Sequence, residues 1–367
     1  MSWTERVEAE LDEITNAGRR RTLRAFDALG PTGTLDGRTV TSYASNDYLG
    51  LSAHPAVRNA AAAAAQRWGG GSTASRLVVG TRPAHARFEA AYASWKGTET
   101  ALALSSGYAA NLAVLTTFGT SGTTIVSDEL NHASIIDGCR QSRAATVVSR
   151  HNDVDHVASL VAAADGPVIV VTDSVFSMDG DEAPVGALAD VCRTHGALLV
   201  VDEAHGVLGP EVPSDLDLLR VGTMSKALGS LGGVVAGPQT FIDLLVNRAR
   251  PFIFSTALSP ADVAAAHAAL DVVRSEEGAA LQRRLRELID RLVPGHPSPI
   301  IPVVIGDEDD AMKASAALLD RGILVPAIRP PTVAPGTSRL RVALSAAHTD
   351  EMLDALLEGL NQIGVTP

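Results

Sequence analysis

PVIVVTDS (167–174), ALLVVDEAH (197–205) and LRVGTMSK (219–226) share one pattern, a short apolar run that ends abruptly in polar residues. TALAL (100–104), TTIVSD (123–128) and TVVS (146–149) extend the series toward the amino terminus. Between these runs, residues 109–117, 132–140, 154–163 and 185–195 carry helical patterns. Strands that are apolar almost throughout, alternating with helices, belong to a sheet covered on both faces. From about residue 98 to residue 240 the chain therefore reads as α/β. The runs end in Asp173 and Ser174, in Asp202 and His205, and in Thr223 and Lys226. Ligands of open α/β sheets collect beyond the carboxyl ends of the strands, so these residues are expected to converge.

The flanks read differently. Residues 1–30 suggest a helical arm with arginines at 19–21 and 24, followed by a short strand near 38–43. NDYLGLSAHP (46–55) reads as a loop, 55–67 as an Ala-rich helix, and GGGSTASR (69–76) as a flexible loop able to lie close to a ligand. A long helical stretch is expected over 260–292. Beyond it, PIIPVVIG (299–306), the run 322–345 and a last helix at 349–362 suggest a smaller α+β unit. The expected division is an amino-terminal arm and strand over 1–40, a large α/β domain over 41–255 and a C-terminal domain over 256–367. A length of 367 residues suits one large and one smaller domain.

Lys and Arg number 30 against 42 Asp and Glu, a formal net charge of −12. No background positive field exists to attract nucleic acid or an anionic membrane. Cys139 and Cys192 are the only cysteines and form no CxxC pair, so both are expected to be reduced and near the core. The opening MSWTERVEAELDEI lacks a basic-then-apolar signal pattern, and the Ala run at 60–65 is cut by Gln66 and Arg67. A cytoplasmic location is the default expectation.

Lys226, in TMSKALGSLGG (223–233), is flanked by small residues that leave room for a cofactor, with Thr223 and Ser225 as short donors for a phosphate. Its amine is able to join the aldehyde of pyridoxal phosphate and later to move a substrate proton. The plain alternative is an exposed lysine after a strand. Asp202, buried at a strand end, suits the pyridine nitrogen of such a cofactor, and His205 lies a turn away. The alternatives are a helix cap with a loop histidine, or a metal pair, for which no HExxH or third-ligand spacing exists. In SSGYAAN (105–111), Ser106 and Gly107 precede a helix start whose free N–H groups suit phosphate. Neither GxxxxGK[ST] nor GxGxxG occurs there. His132, in LNHASIIDG (130–138), is placed to stack on a flat ring or simply to cap its helix, and Ser177, in VFSMDGD (175–181), is equally ambiguous.

SNDYLGL (45–51), SGYAAN (106–111), NHASIIDG (131–138), SVFSMDGD (174–181), DEAHG (202–206), TMSKALG (223–229) and RLRVALSAAHT (339–349) occur together and in this order. The set resembles the α-oxoamine synthase family of fold-type I pyridoxal-phosphate enzymes, and the likeness runs through nearly the whole chain. The resemblance implies a mostly parallel central sheet, a smaller α+β C-terminal domain, and a homodimer with shared active sites. It implies that Lys226 holds the cofactor, Asp202 meets the pyridine nitrogen, and His132 stacks over the ring. His205 and Ser177 would meet the phenolic oxygen. Ser106, Gly107, Tyr108 and Thr223 would surround the phosphate, joined by the partner subunit's Ser255 and the partner subunit's Thr256. Arg341 resembles the arginine that receives an amino-acid carboxylate, while either Arg21 or Arg24 would meet an acyl carboxylate. The implied reaction joins an amino acid to an acyl thioester with loss of CO2. Within the family the likeness favours L-alanine with pimeloyl-CoA or a pimeloyl-carrier protein. Glycine with acetyl-CoA is the alternative pair, and a non-catalytic interaction protein on the same fold is the alternative outside enzymes. One departure stands out: residues 206–225, between His205 and Lys226, form a shorter stretch than in many relatives.

Overall fold

The computed structural model describes residues 1–366; Pro367, the last residue of the expected C-terminal domain, lies outside them. Seven strands build the central sheet: β1 (Thr100–Leu104), β2 (Thr124–Asp128), β3 (Ala145–Ser149), β4 (Val168–Asp173), β5 (Leu198–Asp202), β6 (Leu218–Thr223) and β7 (Gly233–Gly237). Their spatial order is β1-β7-β6-β5-β4-β2-β3. Neighbours from β6 through β3 pair in parallel, whereas β7 pairs antiparallel with both β6 and β1. The sheet is thus mostly parallel, as the apolar runs imply, with one reversed strand. Every residue of β4 and β7 is buried, which is why these strands show no alternation of apolar and polar residues.

Helices cover both faces. Leu102, Leu104, Ile169, Val171, Val200 and Val221 pack on one side with the helix α1 (Gly107–Phe118) and the helix α2 (Ala133–Gln141). Val126, Val170, Leu199 and Val201 pack on the other with Val157, Val161, Leu188 and Cys192 of the crossover helices. Cys139 and Cys192 are both buried and unbonded, one on each face.

The amino-terminal arm is helical only over Trp3–Asn16, a helix with no buried residue, and the backbone then runs without regular structure to Phe26. Strands Phe26–Ala28, Thr32–Leu35 and Arg38–Ser42 follow as a meander, and the last pairs in parallel with Ile323–Leu324. The start of the chain is therefore hydrogen-bonded to its C-terminal third. The expected single helix over 260–292 is two, Pro260–Val273 and Glu276–Leu292. Ser275 ends the continuity because its side chain accepts the Gly278 N–H as a new N-cap, with Glu276 and Glu277 in the first turn. Ile300–Gly306, Ser338–Ala343 and Ala327–Ile328 form an antiparallel three-stranded sheet covered by the helix Glu308–Leu319. Among the described residues, no helix is long and apolar enough to cross a membrane.

Candidate active site

The carboxyl ends of β4, β5 and β6 deliver Asp173, Asp202 and Thr223 to one edge of the sheet, with Asp173 and Asp202 directly paired in register. Asp202 is buried, and among the described residues no cation lies within ion-pair distance of it. It is held by neutral donors instead: Asn111 Nδ2 at 2.6 Å and the Ala204 N–H at 2.8 Å. Asn111 Nδ2 also donates to Ser134 Oγ at 2.9 Å, and Ser134 Oγ lies 2.7 Å from His132 Nδ1. His132 caps the start of α2, and its own N–H donates to Asp173 at 2.8 Å. Carboxylate, amide, hydroxyl and imidazole thus form one connected network. Burial holds the His132 pKa below its ordinary value, against the pull of Asp202. Burial, reinforced by the neighbouring Asp202 charge, holds Asp173 well above the usual carboxylate range.

A second chain of hydrogen bonds begins at Lys226. Its Nζ lies 2.9 Å from His205 Nε2, and His205 Nδ1 lies 2.6 Å from the Tyr48 hydroxyl. Tyr48 donates to Asn46 Oδ1 at 3.1 Å, which also accepts both terminal nitrogens of Arg341 at 3.3 Å. One consistent orientation satisfies every group: the lysine donates to Nε2, Nδ1–H donates to the tyrosine oxygen, and the tyrosine donates to the amide. Burial, with the nearby Lys226 and Arg341 charges, keeps His205 well below the ordinary histidine pKa, so it is neutral. Burial likewise lowers the Lys226 pKa, partly offset by Asp202 and Asp173. A larger unprotonated fraction makes that amine a better nucleophile.

Arg341 is 5% exposed and, among the described residues, has no carboxylate partner. Its Nε donates to the Ser177 carbonyl at 2.5 Å, which brings the 174–181 loop to the C-terminal sheet. Ser106 is the N-cap of α1, and its hydroxyl accepts the Ala109 N–H. The N–H groups of Gly107 and Tyr108, in the first turn, have no intrahelical acceptor. A side chain at Gly107 would sit 3.4 Å from Thr223 Cβ, so these two residues form the walls of one narrow cradle. Tyr108 itself is exposed, and its hydroxyl bonds to Asp137.

Four expected residues lie apart from this cluster within the chain. Thr256, next to Ser255, bridges to Ser75. Arg24 pairs with Asp36 at 2.7 Å, and Arg21 is exposed. Conversely, Asn46, Tyr48, Asn111 and Ser134 stand in the site although motif reading assigned them no role. A buried asparagine one turn after Gly107, in an otherwise apolar helix, was the available signal for Asn111.

The donor set suits a flat ring carrying a phosphate. A buried carboxylate without a cation matches a protonated ring nitrogen, a lysine of lowered pKa matches an aldehyde, and free N–H groups at a helix start match a phosphate. The Oδ1 of Asn111, buried beside Asp202 with no hydrogen-bond partner, leaves further polar capacity at the same place. Fold and site together define a fold-type I pyridoxal-phosphate enzyme.

Comparison with known proteins agrees. Residues 38–360 match the model of the family described as aminotransferase class I and II. An 8-amino-7-oxononanoate synthase from Anaeromyxobacter dehalogenans (strain 2CP-1) is 50% identical, over 96% of this chain and 94% of the relative. A serine palmitoyltransferase structure from S. paucimobilis with PLP and myriocin bound superposes with a TM-score of 0.89 at 28% identity, covering 99% of this chain and 98% of the other. An 8-amino-7-oxononanoate synthase structure from Francisella tularensis superposes with a TM-score of 0.72 at 27% identity, covering 88% and 96%. The chain belongs to the aminotransferase class I and II family and, within it, to the α-oxoamine synthases.

Proposed function

We propose that the chain condenses L-alanine with a pimeloyl thioester to give 8-amino-7-oxononanoate, CO2 and free thiol, a step of biotin biosynthesis. The observation that carries this reading is the buried, unpaired guanidinium of Arg341 tied through Asn46, Tyr48 and His205 to Lys226. It supports an amino-acid carboxylate bound a fixed distance from a nucleophilic amine. The 50% identity to a named 8-amino-7-oxononanoate synthase supports the choice of product within the family. Backbone similarity does not separate the acyl specificities, since one fold carries both kinds of neighbour.

Bound pyridoxal phosphate supplies an aldehyde for covalent attachment and a ring that withdraws electrons from the substrate's α carbon. Asp202 would hold the proton on the pyridine nitrogen, and His132 would cover one face of the ring. His205 and Ser177 would meet the phenolic oxygen, while Ser106, the N–H groups of Gly107 and Tyr108, and Thr223 would hold the phosphate. Arg341 orients the α carboxylate through a planar fork. Lys226 would take the α proton at Nζ and return a proton to the product. Neutral His205, accepting from Nζ, keeps the amine pointed at that proton. Arg21 or Arg24 would meet the distal carboxylate of the acyl chain.

The site would be completed by a second copy of the chain. Leu77, Val78 and Val79, 54–73% exposed, lie on the segment Arg76–Gly80, and Phe254 is 70% exposed on the neighbouring segment before Ser255 and Thr256. An apolar patch of this kind marks a contact surface, and pairing there would carry Ser255 and Thr256 into the partner's phosphate site. Val78→Asp is expected to shift sedimentation from dimer to monomer and to release the cofactor. A variant that stays dimeric would refute this interface.

The activity test is thiol release from pimeloyl-CoA by cofactor-loaded protein, with saturating L-alanine or glycine. Release that depends on L-alanine, with little from glycine, is expected. Release with glycine alone would place the enzyme in another branch of the family, and no release with either would sink the proposed acyl substrate.

A further inference from the structure

The far end of α1 opens on a cleft of roughly 710 Å³ whose lining includes Thr116, Thr117, Gln141, Arg143, Arg248 and Arg250. Among the described residues, no acidic side chain lines it. Several other arginines of the chain are ion-paired: Arg220 with Glu203, Arg284 and Arg291 with Asp350, and Arg339 with Asp179. Among the described residues, the guanidinium groups of Arg143, Arg248 and Arg250 have neither a carboxylate partner nor a hydrogen bond, and Arg250 only lies over the Phe254 ring at 4.7 Å. Three unpaired cations facing one cleft are out of character in a chain of net charge −12.

Helix dipoles do not account for the cluster. The helices Gly107–Phe118, Ala133–Gln141 and Gln239–Arg248 all end near the cleft, each placing roughly half a negative charge there. Three full positive charges exceed that sum, so the cleft keeps a net positive field. A second observation points the same way. Thr117 lines the cleft, is 5% exposed, and its hydroxyl has no hydrogen-bond partner, although Thr116 beside it donates normally to the Leu112 carbonyl.

We propose that this cleft is a second phosphate site, binding a diphosphate-type anion through Arg143, Arg248 and Arg250. Planar guanidinium forks match the paired oxygens of a phosphate, and Gln141 adds an amide donor. The site is separate from the cofactor cradle. The cradle lies at the amino end of α1 and the cleft at its carboxyl end, about 17 Å away along a 12-residue helix. The anion could be the nucleotide end of an acyl-CoA, which rests on the reading of the reaction given above, or a free diphosphate compound.

The test is calorimetric titration of dimeric holoenzyme with inorganic pyrophosphate at low salt, with the bound cofactor's absorbance monitored throughout. The triple variant Arg143→Ala, Arg248→Ala, Arg250→Ala is expected to bind pyrophosphate about tenfold more weakly or worse, with cofactor absorbance unchanged. All three positions are exposed, so the fold should tolerate the changes. Equal affinity in both proteins, or no binding to the wild type, overturns the proposal. Pimeloyl-CoA and a pimeloyl-pantetheine ester lacking the nucleotide then separate the sources. A higher KM for the CoA ester alone identifies the nucleotide end, whereas weaker pyrophosphate binding with both KM values unchanged identifies a free diphosphate. Absence of turnover with the nucleotide-free ester would count against the proposed reaction and leave the pyrophosphate result standing.

Discussion

Arg341 keeps a full positive charge inside the protein with one amide oxygen and one peptide carbonyl as its acceptors. A buried charge without a counter-charge is costly, and the amino-acid carboxylate proposed to bind there would offset that cost. Arg341→Lys retains the charge but loses the planar fork. The KM for the amino acid is expected to rise about 10–100-fold, with a smaller change in kcat, measured by thiol release at saturating acyl thioester. An unchanged KM would remove Arg341 from the carboxylate site. At this scale Lys226, Asp202 and His205 were legible because each closes a recognisable apolar run, and His132 because it stands at a helix start. Asn111 and Ser134 were not, because their roles depend on an amide that reaches Asp202 across 91 residues. Tyr48 was equally hidden, since its partner His205 lies 157 residues away.

Strand ends account for most of the site, but a loop couples it to the C-terminal sheet. Gly180 has φ +71°, a conformation glycine adopts freely, and an added Cβ would run into the Ile300 carbonyl. Its own carbonyl accepts from Ser298 Oγ at 2.6 Å. Gly180→Ala is therefore expected to destabilise the protein by about 2–4 kcal/mol, read from urea unfolding, because the strained backbone and the collision act together. It should also raise the amino-acid KM, since the same loop supplies the Ser177 carbonyl to Arg341. Normal stability with normal KM would show that the loop is uncoupled from the site. Helices over 109–117, 154–163 and 185–195 were legible to within a few residues, because their apolar periodicity is local. The reversal of β7 was not, since a buried strand reads the same in either direction.

Across the whole molecule, burial holds His85, His132, His205 and His348 below the ordinary histidine pKa. The unfolded chain then binds protons more readily than the folded one. Their contribution to stability is complete above about pH 6.5 and is lost as pH falls below it, by up to about 1.4 kcal/mol per pH unit for each histidine. His151 runs the other way. Burial lowers its pKa, but hydrogen bonds to Asp128 and Asp181 outweigh burial and raise it, so its contribution is present at low pH and lost as pH rises. Asp173, held well above the usual carboxylate range, acts in the same direction as His151, so four groups oppose two, and calorimetry of the cofactor-free protein should show Tm falling between pH 7 and pH 5. A flat or rising Tm would mean that these histidines do not remain neutral on folding. Apolar periodicity and turn chemistry, which act within a few residues, were enough to specify the α/β class and the strands that end in polar groups, while the role expected of Lys226 came from the resemblance of its motif. Strand order, the pairing of Asp173 with Asp202, the closure of 26–42 onto 323–324, and the approach of Arg341 to Lys226 required the folded molecule. Those features join segments tens to hundreds of residues apart, and only the packing of a common core brings such segments together.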